Sequence, residues 1–138
     1  MVTAYYLDSS VALRILLHDS PAAAAWFDQM NEAPEHLGVS SRLLRTEVTR
    51  VLRRVRQPPA LRDEVLDYLA LLPLDHAVLL EAEAIVPHIK TLDAIHLGSA
   101  LRSGIEDLVM VTHDHNMATV ARELGFRVED PVTDDPGT

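Results

Sequence analysis

Four carboxylates, Asp8, Glu47, Asp93 and Asp114, stand beside or within apolar stretches, where globular proteins seldom place an acid. Asp8 ends the run Ala4-Tyr5-Tyr6-Leu7, and Asp114 closely follows Leu108-Val109-Met110-Val111. Both runs read as buried strands, so both acids fall near strand C-terminal ends, where open parallel sheets build their sites. Glu47 lies in a helical pattern whose apolar stripe is Leu44, Val48, Val51 and Val55. At about 100° per residue it sits about 60° from the centre of that stripe, pointing toward the core edge. Asp93 opens another helical stretch and shares a face with Leu97 and Ala100. Two carboxylates about 4 Å apart repel by about 4 kcal/mol at an effective dielectric of about 20. If the four converge, they take up protons or bind a cation. An all-oxygen donor set selects a hard cation, Mg²⁺ or Mn²⁺. Mg²⁺ keeps several waters, one of which can become a nucleophile, and it neutralises charge on a phosphoryl oxygen. Phosphodiester hydrolysis is the chemistry that follows.

Each acid taken singly also has an ordinary reading. Asp8 could be a turn residue at a strand end, and Asp114 the cap of the next helix. Glu47 could pair with Arg50 or Arg54, at i+3 and i+7 on its side of the helix. Asp93 could answer the helix dipole from a first turn capped by Thr91. All four ordinary readings must hold together, and isolated ion pairs do not explain why the acids flank the most apolar segments.

The elements that would position these residues alternate. Strands are expected at 2–7, 37–39, 73–75 (Pro73-Leu74-Asp75, the weakest), 108–112 and 126–128. Ser9 or Ser10 can cap a helix to about Leu17, and Pro21 opens the helix that carries Trp26, Phe27 and Met30. Ser40 or Ser41 can cap the arginine-rich helix, which ends before Pro58-Pro59. Further helices are expected near 60–71, 76–86, 92–103 and 115–124, with Gly104 and Gly125 as C-terminal stops. Strand–helix alternation is the signature of an α/β domain with a parallel sheet.

A chain of 138 residues with 48% hydrophobic content is long enough for one domain with a real core. The absence of cysteine excludes disulfides and thiolate metal sites and fits a reducing cytoplasm. No signal peptide and no apolar run of about 18 residues is present, which argues against secretion and membrane spanning. A formal net charge of −9 argues against indiscriminate nucleic-acid binding. A local basic patch remains: Arg42, Arg45, Arg50, Arg53, Arg54 and Arg56 crowd one stretch. Arg42, Arg45, Arg53 and Arg56 point away from the apolar stripe and read as a solvated face, whereas Arg50 and Arg54 flank Glu47 and are candidate contacts to a phosphate backbone beside the site.

The constellation resembles the PIN-domain family, in particular the VapC-type ribonuclease toxins of toxin–antitoxin pairs. The likeness is carried by Tyr6-Leu7-Asp8-Ser9-Ser10-Val11-Ala12-Leu13, Arg45-Thr46-Glu47-Val48, Thr91-Leu92-Asp93-Ala94-Ile95-His96-Leu97 and Val111-Thr112-His113-Asp114. Ala121-Arg122-Glu123-Leu124-Gly125-Phe126 also fits, so the likeness runs in order over residues 3–128. It implies a PIN-like three-layer sandwich with about five short, mainly parallel strands in one domain over 1–128, while residues 129–138, acidic and proline-containing, read as a flexible tail. It further implies that Asp8, Glu47, Asp93 and Asp114 are the catalytic metal ligands, supported by the hydroxyls of Ser10 and Thr112. Asn116 stands where some relatives carry a further acid, which leaves a second metal open. The implied activity is Mg²⁺-dependent cleavage of RNA, with Mn²⁺ as substitute. The implied partners are a cognate antitoxin and a second copy of the chain.

His96, at i+3 from Asp93, could share the metal, but a packing histidine hydrogen-bonded in the core is the expectation. His113 and His115 are expected to be a surface pair, too few for a zinc site. Trp26, Phe27 and Met30 are expected in the core, with partner binding as the other reading. A phosphatase with Asp8 as nucleophile would want a second Asp two residues on, where Ser10 stands. An unrelated nucleotide-binding domain would want a glycine-rich loop, and the five glycines do not cluster. The rival of another class is a PIN-like scaffold that binds protein or RNA without cutting.

Overall fold

The computed structural model describes residues 1–134. Five strands form one sheet in the order β3-β2-β1-β4-β5: β1 is Thr3–Leu7, β2 His36–Ser41, β3 Ala70–Leu72, β4 Leu108–Val111 and β5 Arg127–Glu129. Every pairing is parallel. The helices α1 Ser9–Leu16, α2 Pro21–Glu32, α3 Arg42–Arg54 and α4 Asp63–Leu66 connect β1 to β2 to β3. The chain then returns through α5 His76–Glu83 and α6 Thr91–Arg102 to β4 on the far side of β1, and α7 His115–Glu123 leads to β5. The sheet therefore reverses its direction of growth between β1 and β4. Clefts in such sheets open at that switch point, outside the strand C-termini.

Two cores follow from the two-residue period of the strands. Leu7 is in register with Val111, and both face a cluster built from α1 to α4. Tyr6 is in register with Met110, and both face a cluster completed by α6 and α7. Strands β1 and β4 are covered on both faces, which is why their sequences are continuously apolar. Phe27 and Met30 are buried in the first cluster, and Trp26 packs against it, edge-on to Tyr5 at 5.8 Å. The expectation of core packing for these residues holds. Among the described residues no helix is long and apolar enough to cross a membrane.

The structure corrects several local expectations. Residues 60–71 are not one helix: a 3₁₀ turn over Pro59–Arg62 leads into the one-turn α4, and the third strand is Ala70–Leu72 rather than 73–75. Pairing of Ala70–Leu72 with Val39–Ser41 overrides the helix preference of Ala and Leu, and Pro73, lacking an N–H, ends the strand. The cap of α1 is Asp8 itself, not Ser9 or Ser10, while Ser41 caps α3 as expected. The α6 cap is Lys90, without a side-chain bond, and Thr91 is already helical. The buried stripe of α3 runs through Leu44, Val48 and Leu52, whereas Val55 is exposed. The part of the expected tail that the structure describes, 129–134, is built into the domain. Glu129 belongs to β5, and Pro131–Asp134 form a 3₁₀ turn that buries Val132. Residues 135–138 lie outside the described residues.

Helices α5 and α6 cross at Gly98, where an added Cβ would meet the carbonyl oxygen of Val78 at 2.8 Å and the amide nitrogen of Ala82 at 3.0 Å. Both neighbours are backbone and cannot swing aside. Gly98→Ala is therefore expected to destabilise the fold by about 1–3 kcal/mol, although alanine is the better helix former. Chemical denaturation measures this; a more stable variant would contradict the close crossing.

Candidate active site

Strand β1 delivers Asp8 and strand β4 delivers Thr112 to the switch point, side by side. Asp8 is almost fully buried, 2% exposed. Its Oδ1 accepts from the Ser10 amide at 3.1 Å, the Val11 amide at 3.3 Å and the Ser10 hydroxyl at 2.6 Å. Its Oδ2 accepts from the Thr112 hydroxyl at 2.5 Å. Burial pushes the Asp8 carboxyl above its usual range, and the donors from Ser10 and Thr112 pull it back. Ser10 and Thr112 thus act on Asp8, as hydroxyls that spend their single protons on it. Thr112 Oγ1 in turn accepts from the Asp114 amide at 3.0 Å, and Ser10 Oγ from the His113 amide at 2.9 Å. Two small hydroxyls therefore hold the ends of β1 and β4 in register.

Asp114 caps α7, with Oδ1 accepting from the Met117 amide at 2.8 Å. Asp8 caps α1 in the same way. The ordinary capping reading is thus true of both strand-end acids, and it aims them rather than removing them from the cleft. Asp93 stands in the first turn of α6, half-buried, and accepts no hydrogen bond among the described residues. Glu47 comes from α3, in the opposite helical layer. Its partner is neither Arg50 nor Arg54: Oε1 lies 2.5 Å from Nε2 of His96.

These acids line one pocket of about 320 Å³, together with Ser9, Ser10, Lys90, Thr91 and Leu92. Asp8, Glu47, Asp93 and Asp114 are all present in it. Asn116 is not: it is exposed on α7, and its Nδ2 donates to the His88 carbonyl at 3.3 Å. Arg50 and Arg54 are exposed and border a separate surface depression with Val51 and Arg53. His113 pairs with Asp130 at 2.9 Å and His115 is exposed, which removes any zinc-like pairing. His96 is fully buried, as a packing histidine should be, yet it touches the site through Glu47. Sequence reasoning missed Lys90, the chain's one lysine, whose signal was its place three residues before Asp93.

Among the described residues no three His, Asp or Glu side chains form a ready-made metal cage. That geometry still fits Mg²⁺, which retains several waters and needs only one or two protein carboxylates. The donor set is all oxygen, and the charge density calls for a cation. Burial, then the charges of Asp114 and Asp8, push the Asp93 carboxyl from 3.8 up to about 6, with a further contribution from Glu47. Folded Asp93 holds its proton to higher pH than the unfolded chain does. Its contribution to stability is complete below the unfolded value and is lost as pH rises through the folded one. Thermal unfolding in a chelator is expected to show Asp93→Asn gaining on the parent protein as pH rises from 3.8 to beyond about 6. A difference in Tm that stays constant over that window would contradict the repulsion.

Comparison with known proteins agrees with this geometry. The PIN domain family model matches residues 5–123. Ribonuclease VapC47 of Mycobacterium tuberculosis is 34% identical over 131 residues, covering 91% of this chain and 96% of the relative. Ribonuclease VapC46 of the same species is 33% identical over 132 residues, covering 94% and 99%. A toxin–antitoxin complex from Klebsiella pneumoniae contains a chain that superposes with a TM-score of 0.67 at 16% identity, covering 92% of this chain and 97% of that one. The doubly wound sheet, the acids at its switch point and these likenesses agree: the chain belongs to the PIN-domain family, among relatives of the VapC ribonuclease type.

Proposed function

We propose that the chain is a Mg²⁺-dependent endoribonuclease toxin, acting in the cytoplasm and held in check by a cognate antitoxin. The observation that carries this reading is the convergence of Asp8, Glu47, Asp93 and Asp114 on one pocket at the sheet's switch point. The ribonuclease names of the two mycobacterial relatives support the activity, and the toxin–antitoxin complex from Klebsiella pneumoniae supports the partner.

Asp8, Glu47, Asp93 and Asp114 would hold the metal. The chemistry that Mg²⁺ supplies when bound is neutralisation of charge on the phosphodiester and activation of water as the nucleophile. The chain's own contributions are positional. Ser10 and Thr112 keep Asp8 oriented and its lone pairs directed, so that a buried carboxylate is available without rearrangement. Asp93 is the acid not committed to a cap or a hydroxyl, so it is the carboxylate free to move onto a cation. Asp114 keeps Oδ2 free of any hydrogen bond among the described residues while Oδ1 caps α7. Lys90, which lines the same pocket, brings a cation to where the RNA backbone must pass. Arg50 and Arg54 offer a second contact farther along α3. A second copy of the chain as partner belongs to the same proposal.

Asp93→Asn changes one charge and no volume. It is expected to lower cleavage of single-stranded RNA by about 10²-fold or more, since metal stabilisation of a transition state is worth several kcal/mol. Binding of the antitoxin should persist. A chelator should abolish cleavage by the parent protein, and Mn²⁺ should restore it; cleavage that survives the chelator sinks the proposal. In RNA-binding titrations, Lys90→Ala, Arg50→Ala and Arg54→Ala are each expected to flatten the log–log salt dependence by about 0.7 if the residue reaches a phosphate. Parent-like slopes for the two arginine variants would leave Lys90 as the contact and return the arginines to the solvated face.

A further inference from the structure

We propose that His96 is the positioning residue that holds Glu47 in the cleft from across the sheet, and that the Tyr6 hydroxyl anchors the imidazole at its other ring nitrogen. The inference rests on the reading of Glu47 as part of the acidic metal site.

Three residues from three separate elements meet end to end. Tyr6 of β1 and His96 of α6 are both fully buried. The Tyr6 hydroxyl lies 2.8 Å from His96 Nδ1, and the two rings meet edge to face at 5.7 Å. His96 Nε2 lies 2.5 Å from Glu47 Oε1, and the Glu47 side chain is 13% exposed. Helix α3 belongs to the first helical layer and α6 to the second, so the contact spans the sheet's end. It is the side-chain hydrogen bond that ties an acid of one layer to the layer carrying Asp93.

Donor and acceptor inventories decide the proton positions. A carboxylate only accepts, so the ring must carry its proton on Nε2 to bond Glu47. A neutral imidazole then presents a bare lone pair at Nδ1, which requires a donor. The Tyr6 hydroxyl is that donor. Burial pushes its phenol far above the ordinary range, so it keeps its proton to give. A Phe at position 6 would leave a buried Nδ1 with nothing to accept from, and the ring would lose the bond that fixes its orientation toward Glu47. The need for such a hold is electrostatic. Glu47 raises the Asp93 carboxyl, so the two acids repel. An undirected glutamate with three side-chain torsions would swing away from its like-charged neighbours. Partners that orient ligands are worth about 10- to 100-fold in metal affinity in other sites.

The test combines two readings of the full chain. Long-range ¹H–¹⁵N correlation on the metal-free protein assigns the His96 tautomer, and Mn²⁺ titration measures affinity for the parent, Tyr6→Phe, His96→Gln and His96→Ala. The expected parent tautomer carries hydrogen on Nε2 alone. His96→Ala is expected to weaken Mn²⁺ binding about tenfold. His96→Gln, whose amide can still donate to Glu47, should restore most of that loss. Tyr6→Phe should keep hydrogen on Nε2 and weaken binding less than His96→Ala. Tyr6→Phe removes one oxygen only, so it carries the test even if His96→Ala does not fold. Hydrogen on Nδ1 in the parent, or His96→Ala or Tyr6→Phe with parent-like Mn²⁺ affinity, overturns the inference. A parent protein that binds no Mn²⁺ overturns the metal reading instead, and the tautomer, read without metal, tells the two failures apart.

Discussion

A buried carboxylate at the end of a central strand is the constraint from which the rest of the site follows. Asp8 is nearly withdrawn from water, a position that costs several kcal/mol for a charge left without partners. The fold answers with the first turn of α1, whose amides of Ser10 and Val11 face Oδ1, and with the hydroxyls of Ser10 and Thr112. The helix macrodipole adds in the same direction. The Thr112 hydroxyl can be supplied only because β1 and β4 are neighbours, so the sheet order bears on the ionic state of Asp8. Thr112 is the hinge of that dependence, since it donates to Asp8 and accepts from the Asp114 backbone.

The acids serve the fold and the cleft at once. Asp8 and Asp114 terminate helices as caps, a role that stabilises by about 0.5–2 kcal/mol. The same geometry fixes each carboxylate at the mouth of the switch point. Asp93 has no such second role. It is the acid that adds repulsion without adding structure, and its raised pKa records this. A site of this kind is less stable for being assembled, and a hard cation is the natural relief. The pocket is also narrow in its chemistry: among its described lining residues Lys90 is the one cation, set beside four carboxylates. The roomier apolar depression between α5 and α6, lined by Leu79, Val86 and Ile95, lacks the acids and offers no comparable chemistry.

Much of this was legible in the chain because the signals were redundant. Continuous apolar runs mark β1 and β4, which are buried on both faces, and an acid just beyond each run marks the strand ends. Where one signal stood alone, reading failed. Ala70–Leu72 looks helical by propensity, and the ladder it forms with β2 is visible only in three dimensions. Glu129 to Asp134 read as tail because they are acidic and proline-containing, yet Val132 is drawn into the core. Glu47 was correctly directed inward, but its partner was sought on its own helix. His96, forty-nine residues later, was recognised as a core histidine, while its bond to Glu47 depends on two helices packing on opposite faces. Asn116 stands outside the pocket's lining, where its Nδ2 donates to the His88 carbonyl.

The central claim is that the carboxylates of both helical layers and both strand ends form one cation site. Diffraction from crystals soaked in Mn²⁺, with data collected to reveal its anomalous scattering, tests this most directly. The account predicts a peak in the pocket lined by Asp8, Glu47, Asp93 and Asp114, with at least two of their carboxylates at the oxygen–metal distance of about 2.0–2.2 Å. An anomalous map at millimolar Mn²⁺ that is empty there, or whose peak lies elsewhere on the molecule, would contradict it.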